Sequence, residues 1–192
     1  MSRLLRHFAI AALLGLYQLN VHAGELSGVI VPDTATLKDG SVLQLNGMGL
    51  REKLWVDVYV GSLYLPKKAT DVANVLSQTG GYRIQMDFVY KEVSSEKLIT
   101  AWREGFERNQ DKITLRNLAD RIERFYKMFE QSAIKGDQFV IDYTPEMGTE
   151  ISKNGTLMGV IEGVDFKDAL IEIWIGNYPA DKQLKRGMLG QP

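Results

Sequence analysis

Residues 54–65, Leu-Trp-Val-Asp-Val-Tyr-Val-Gly-Ser-Leu-Tyr-Leu, narrow the possible folds more than any other stretch of the chain. β-Branched and aromatic residues recur at every second position, a pattern that suits a pleated, half-buried surface and not a helix. Alternation along Trp55–Leu65 puts Asp57, Tyr59, Gly61 and Leu63 on one face and Val56, Val58, Val60, Ser62 and Tyr64 on the other. Immediately upstream, Gly47-Met-Gly-Leu-Arg51 sets a permanent cation beside this strand. Glycine at 47 and 49 permits bending and close approach, so the pattern predicts that Arg51 emerges from a tight turn. Two roles stay open for Arg51: a solvated arginine after a hairpin, or a fork of donors facing an anion.

The residue types that are missing exclude much chemistry. There is no cysteine, and the two histidines, His7 and His22, both fall in the first 23 residues. Residues 24–192 therefore offer no thiol nucleophile, no Ser-His-Asp relay, no disulfide and no His/Cys zinc site. Carboxylate, lysine or tyrosine acid-base work remains, as does an all-oxygen metal site or binding without covalent chemistry. No cofactor is expected.

Residues 1–23 read as a signal peptide. Arg3 and Arg6 form a basic start, Phe8 to Leu16 an apolar core, and Val21-His-Ala23 a small-residue cleavage signal before Gly24. Tyr17, Gln18 and Asn20 break the apolar run short of the ~20 residues that a membrane span requires, so no transmembrane segment is expected after leader removal. A periplasmic protein is the expectation; a leader retained as an N-terminal anchor is the alternative. Loss of Arg3 and Arg6 takes the net charge from −1 to −3 (21 basic against 24 acidic residues). With no basic patch and no aromatic-basic interleaving, nucleic acid is not an expected partner.

Residues 24–192 contain no linker, repeat or charge block that divides them, and one domain is expected. Strands are predicted at 29–31, 42–45, 55–65, 82–90, 137–144, 148–152 and 157–161. Asp39-Gly40 and Asn154-Gly155 mark hairpin turns. Helices are predicted at 69–77, from a Ser94 or Ser95 cap, from Thr114 to about Ile134, at 166–175 behind an Asp165 cap, and from Pro179 through Leu189. Leu98, Ala101, Trp102 and Phe106 fall at helical spacing and read as core. Strands and helices do not alternate one by one, which favours α+β layers with a mostly antiparallel sheet over a doubly wound one.

Other candidate sites are weaker. Asp57, Asp87 and Glu92 qualify as general bases by residue type, and Asp137, Asp142 and Glu146 as calcium ligands, but none has motif spacing and no metal is expected. Arg51 with Tyr59 is the favoured ligand-binding pair: a guanidinium fork and a phenol can converge on one carboxylate or enolate. Packing of Tyr59 within the sheet is the plain alternative.

Several segments, in order and spacing, resemble the bacterial chalcone isomerase-like family, relatives of plant chalcone isomerase and of plastid fatty-acid-binding proteins. They are Asn46-Gly-Met-Gly-Leu-Arg51, Val58-Tyr-Val-Gly-Ser-Leu-Tyr-Leu65, Met86-Asp-Phe-Val-Tyr-Lys-Glu-Val93, Lys135-Gly-Asp137 with Asp142-Tyr-Thr-Pro145, and Ile173-Trp-Ile-Gly-Asn-Tyr-Pro-Ala-Asp181. The resemblance implies an open-faced β-sandwich, a large, mainly antiparallel sheet backed by a layer of helices, with the ligand cleft between them. It also implies that Arg51 matches the arginine holding the ligand's oxyanion, and that Tyr59 matches the carboxylate-contacting tyrosine of the fatty-acid binders. The chain departs from the isomerases where they carry a cleft tyrosine, an asparagine and a lysine: here stand Ser94, Ala101 and Asp87. The expected function is binding of a fatty acid or similar amphipathic carboxylate. The alternatives are an isomerase or intramolecular lyase acting on an enone through Arg51, and a structural or partner-binding envelope protein.

Overall fold

The computed structural model describes residues 23–191, so the leader assigned to residues 1–23 lies outside the described residues except for Ala23. Eleven strands and five helices follow one another along the described chain. The strands β1 (Ala23–Leu26), β2 (Val29–Pro32), β3 (Thr34–Thr36), β4 (Val42–Lys53) and β5 (Val56–Leu65) come first, then α1 (Val72–Leu76) and β6 (Tyr82–Phe88). The short β7 (Glu92–Val93) leads to α2 (Ser95–Asn109) and α3 (Lys112–Lys127), and β8 (Ala133–Ile134) to β9 (Gln138–Thr144), β10 (Gly148–Lys153) and β11 (Thr156–Ile161). The helices α4 (Val164–Ile175) and α5 (Lys182–Met188) complete the order.

Seven strands pair antiparallel in the order β11-β10-β9-β6-β5-β4-β3, and the helices cover one face of this curled sheet. The α+β, antiparallel, helix-backed arrangement is the one expected above. Period-two burial drives it: Tyr59, Leu63, Ile84, Met86, Phe88, Phe139 and Ile141 point into the main core with the helices. Tyr64 points the other way, into a smaller cluster with Ala35, Leu37 and Leu43. Asn154 and Gly155 have positive φ (51° and 77°) at the β10–β11 hairpin, as that dipeptide predicts.

Some boundaries differ from the sequence expectation. Asp111, not Thr114, caps α3 by accepting from the Ile113 and Thr114 amides at 2.8 Å, and the helix ends at Lys127. Ala133–Ile134 leaves the helix to pair with Glu92–Val93. Gly163, not Asp165, is the N-cap of α4; Asp165 lies within the first turn, its carboxylate bonded to both terminal nitrogens of Arg121 at 2.6 Å. The last helix starts at Lys182 behind an Asp181 cap, not at Pro179.

The largest correction concerns Gly47-Met-Gly-Leu-Arg51, which is not a turn but the second half of β4. The turn lies further on, at Leu54 and Trp55, both at positive φ (52° and 68°). The glycines serve close approach instead: a Cβ on Gly49 would stand 2.7 Å from the Leu184 carbonyl oxygen, and one on Gly47 would collide with that of Gly187. Bare backbone at these positions lets α5 lie directly on the sheet. Asn46, the extra residue of a bulge between Leu45 and Gly47, locks the arrangement. Its side chain donates to the Met188 carbonyl (2.7 Å) and the Ala69 carbonyl (3.0 Å) and accepts from the Ala69 amide (2.7 Å).

Candidate functional site

Arg51, Tyr59 and Phe88 are register partners on three adjacent strands, which places their side chains in one row on the helix-covered face. A second bulge sits beside this row. Arg51 pairs with Tyr59, yet Glu52 pairs with Asp57, so Val58 is the extra residue. Its carbonyl accepts from the amides of both Val89 and Tyr90 (3.0 and 3.2 Å), pinning the strand where it departs from regular pleating. The bulge re-aims side chains, as bulges next to binding sites do. Val58 turns into the main core, against the strict alternation read from the sequence, and Asp57 ends up exposed and separated from Tyr59.

The row opens on a cleft of about 460 Å³ between the β4–β5 end of the sheet and α2. That volume lies within the ~300–1,000 Å³ usual for small-ligand sites. Val56, Val58, Phe88, Val93, Leu98 and Ala101 supply apolar wall, while Lys53, Glu92, Glu96 and Lys97 also line it. A smaller void of about 20 Å³ lies deeper, and Arg51, Leu98 and Ala101 line both spaces. The polar residues of the inner void are Arg51, Tyr59 and Trp102; the rest of its lining is apolar. Arg51 thus stands at the partition between a greasy outer cleft and an inner pocket of donors.

Tyr59 is 1% exposed, and its hydroxyl oxygen accepts from the Trp174 indole N–H at 3.1 Å. Burial pushes its pKa above the ordinary value; the nearby Arg51 cation and the Trp174 hydrogen bond oppose that rise in part. The phenol stays protonated at neutral pH. The Arg51 guanidinium lies over the Tyr59 ring, 5.5 Å from its centroid. Among the described residues no carboxylate forms a salt bridge with Arg51, and its Nε is buried without a hydrogen-bond partner.

The other candidates part company with this pair. Asp87 lies on the opposite face of the sheet, where its carboxylate accepts from Gln85 and Gln138 at 2.8 Å. Glu92 stands at the cleft wall, and Asp57 lines neither space. Asp137 is held by Lys153 (2.9 Å) and Asn154 (2.8 Å), and Asp142 by two Arg83 nitrogens at 2.7 Å. Burial alone would raise the Asp137 pKa; the Lys153 ammonium and the donors around it outweigh this and hold it below the usual carboxylate range. Ser94 is spent as the α2 cap, accepting from the Lys97 amide at 3.4 Å, while Ala101 forms part of the partition. Trp102, which the sequence reading left in the core, lines the inner void, and Trp174 reaches the site through its bond to Tyr59. The signal lay in their chemistry: a buried indole N–H requires an acceptor.

The family model described as chalcone isomerase-like matches residues 23–190. The chain belongs to the chalcone isomerase-like family. Among solved structures, the fatty-acid binding protein of Arabidopsis thaliana matches with a TM-score of 0.64 at 15% sequence identity, over 88% of this chain and 96% of that one. At that identity the likeness concerns the fold. Among curated proteins none matches.

Proposed function

We propose that the protein binds a fatty acid or a similar amphipathic carboxylate without transforming it, the headgroup held by Arg51 and Tyr59 and the tail lying in the outer cleft. The observation that carries this reading is the Arg51 side chain. It is a partly buried cation with no carboxylate partner among the described residues and an orphaned Nε, at the junction of an apolar cleft and a pocket of donors. A buried donor without an acceptor costs ~1–3 kcal/mol, and an incoming carboxylate offsets that cost with charge-assisted bonds. Each methylene buried in the cleft adds ~0.8 kcal/mol. The solved relative of like fold carries fatty-acid binding in its description, which supports the same ligand class here.

Native mass spectrometry of gently purified protein tests the reading. Co-purified or added long-chain acid is expected on the wild type and is expected to be lost with Arg51→Ala. A protein that stays empty at saturating acid overturns the proposal.

An isomerase reading draws on the same donors, which would also stabilise an enolate oxygen. The inner void has no carboxylate or lysine in its lining to serve as base, and Glu92 and Glu96 line only the outer cleft. Binding is therefore preferred, and turnover of a chalcone panel that vanishes with Arg51→Ala would reverse the preference. In the same reading, residues 1–23 export the chain to the periplasm, and the mass of the mature N-terminus checks cleavage after Ala23.

A further inference from the structure

Trp102 is 4% exposed, its Nε1 has no hydrogen-bond partner among the described residues, and it lines the same inner void as Arg51 and Tyr59. Its ring is clamped by Phe125, Phe129 and Trp174, with centroids 5.0–5.3 Å away, so it cannot swing to a partner elsewhere. Buried indoles ordinarily find an acceptor, as Trp174 does in the Tyr59 hydroxyl. An N–H fixed by packing and left unpaired is aimed at something that arrives.

The polar groups around the void are all donors. Indole and guanidinium have no acceptor. The Tyr59 oxygen already accepts from Trp174, which leaves the phenol hydrogen to be given away. The void itself, at about 20 Å³, has room for a single oxygen-sized atom, since ~10–15 Å³ of such volume holds one water. The rest of the lining, Met86, Leu98, Ala101, Ile173 and Ala180, offers the hydrogens of a water no side-chain acceptor beyond the weak Met86 thioether. A carboxylate oxygen has several lone pairs and no hydrogen to place.

We propose that Trp102 is a headgroup-binding residue: its indole N–H and Arg51 Nε together grip one carboxylate oxygen seated in the inner void, while the partition of Leu98 and Ala101 keeps the tail outside. This rests on the carboxylate-binding reading above and extends it to a third side chain and a defined depth. It makes the site selective for an acid end group, because a ligand ending in an ammonium has no lone pair to offer and meets Arg51 as a like charge.

The test uses the full chain labelled with nitrogen-15 at its three indoles, Trp55, Trp102 and Trp174, assigned with Trp55→Phe and Trp102→Phe. Dodecanoic acid is expected to move the Trp102 indole proton downfield and slow its exchange with water, and dodecylammonium, with the same tail, to leave it in place. Trp102→Phe keeps an aromatic ring and removes the donor, and is expected to weaken dodecanoic acid binding by roughly 10- to 100-fold. If the wild type binds no acid, both the carboxylate reading and this inference fall. If the acid binds by mass spectrometry while the Trp102 proton stays put, or if dodecylammonium moves it equally, only this inference falls. Should Trp102→Phe misfold, the wild-type spectra decide alone.

Discussion

Trp174 donates its indole N–H to the hydroxyl oxygen of Tyr59 at 3.1 Å, across 115 residues of chain, and both side chains are buried. The bond orients the phenol: with its oxygen already accepting, the hydroxyl hydrogen is directed away from Trp174. A helix residue thereby sets which way a strand residue can donate.

Tyr59→Phe leaves the Trp174 N–H buried and unpaired, and Trp174→Phe removes the donor. Either change is expected to lower stability, the first by ~1–3 kcal/mol. A double-mutant cycle followed by urea unfolding should show coupling between the two, and strict additivity would mean that the bond contributes nothing.

Ala101 lines both the outer cleft and the inner void and is half-buried. Ala101→Phe is expected to close the passage and abolish acid binding while the midpoint of thermal unfolding moves little. Retained affinity would place the ligand elsewhere.

Gly49→Ala would set a Cβ 2.7 Å from the backbone of α5, which cannot yield as a side-chain tip can. Overpacking of this kind costs ~1–3 kcal/mol. The variant is expected to loosen α5, seen as faster amide exchange in residues 182–188 before the rest of the domain.

The β4–β5 turn carries two large apolar residues in the left-handed region, and Trp55 is 98% exposed. Left-handed backbone at a non-glycine residue costs of order 1–3 kcal/mol, so replacing Leu54-Trp55 by Asn-Gly, the dipeptide suited to this turn, is expected to stabilise the protein. A lower melting temperature for that variant would show that the tip makes contacts the strain argument omits.

Alkaline pH should unfold the protein earlier than its acid residues would suggest. Burial raises the pKa of Tyr59, Tyr82 and Tyr143, and raises those of Tyr64 and Tyr126 to about 12. Unfolded tyrosine titrates near ~10. Because the folded state holds these protons longer, their contribution is whole below pH ~10 and is lost as pH climbs toward the folded values. Tyrosinate absorbance should appear together with loss of circular dichroism, and Tyr82→Phe should make the loss less steep.

The layer architecture was legible in local signals. The strand ending at Leu65, the Asn154-Gly155 turn and a serine cap at 94 or 95 each rest on neighbours in the chain, so sequence spacing alone was enough to locate them. The resemblance, carried by motifs in order, added the family and singled out Arg51 and Tyr59. Misreadings arose where one element answers to a distant one. Gly47 and Gly49 looked like turn residues because what they accommodate, α5, lies some 135 residues further on. Asp165 looked like a cap because its partner, Arg121, belongs to another helix.

By itself, then, the order of residues determined where the main strands and helices lie, that they stack as α+β layers, and what chemistry is excluded by the lack of cysteine and histidine beyond residue 23. Only tertiary structure decided that Val58 bulges toward the cleft, that Asp57 and Asp87 are turned out of it, and that Trp102 joins Arg51 and Tyr59 around one small void, with Trp174 bonded to Tyr59 behind it. The reason is physical: a period-two or period-3.6 pattern fixes a side chain's direction relative to its own element, whereas a binding site depends on where separate elements meet, set by packing between residues far apart in the chain.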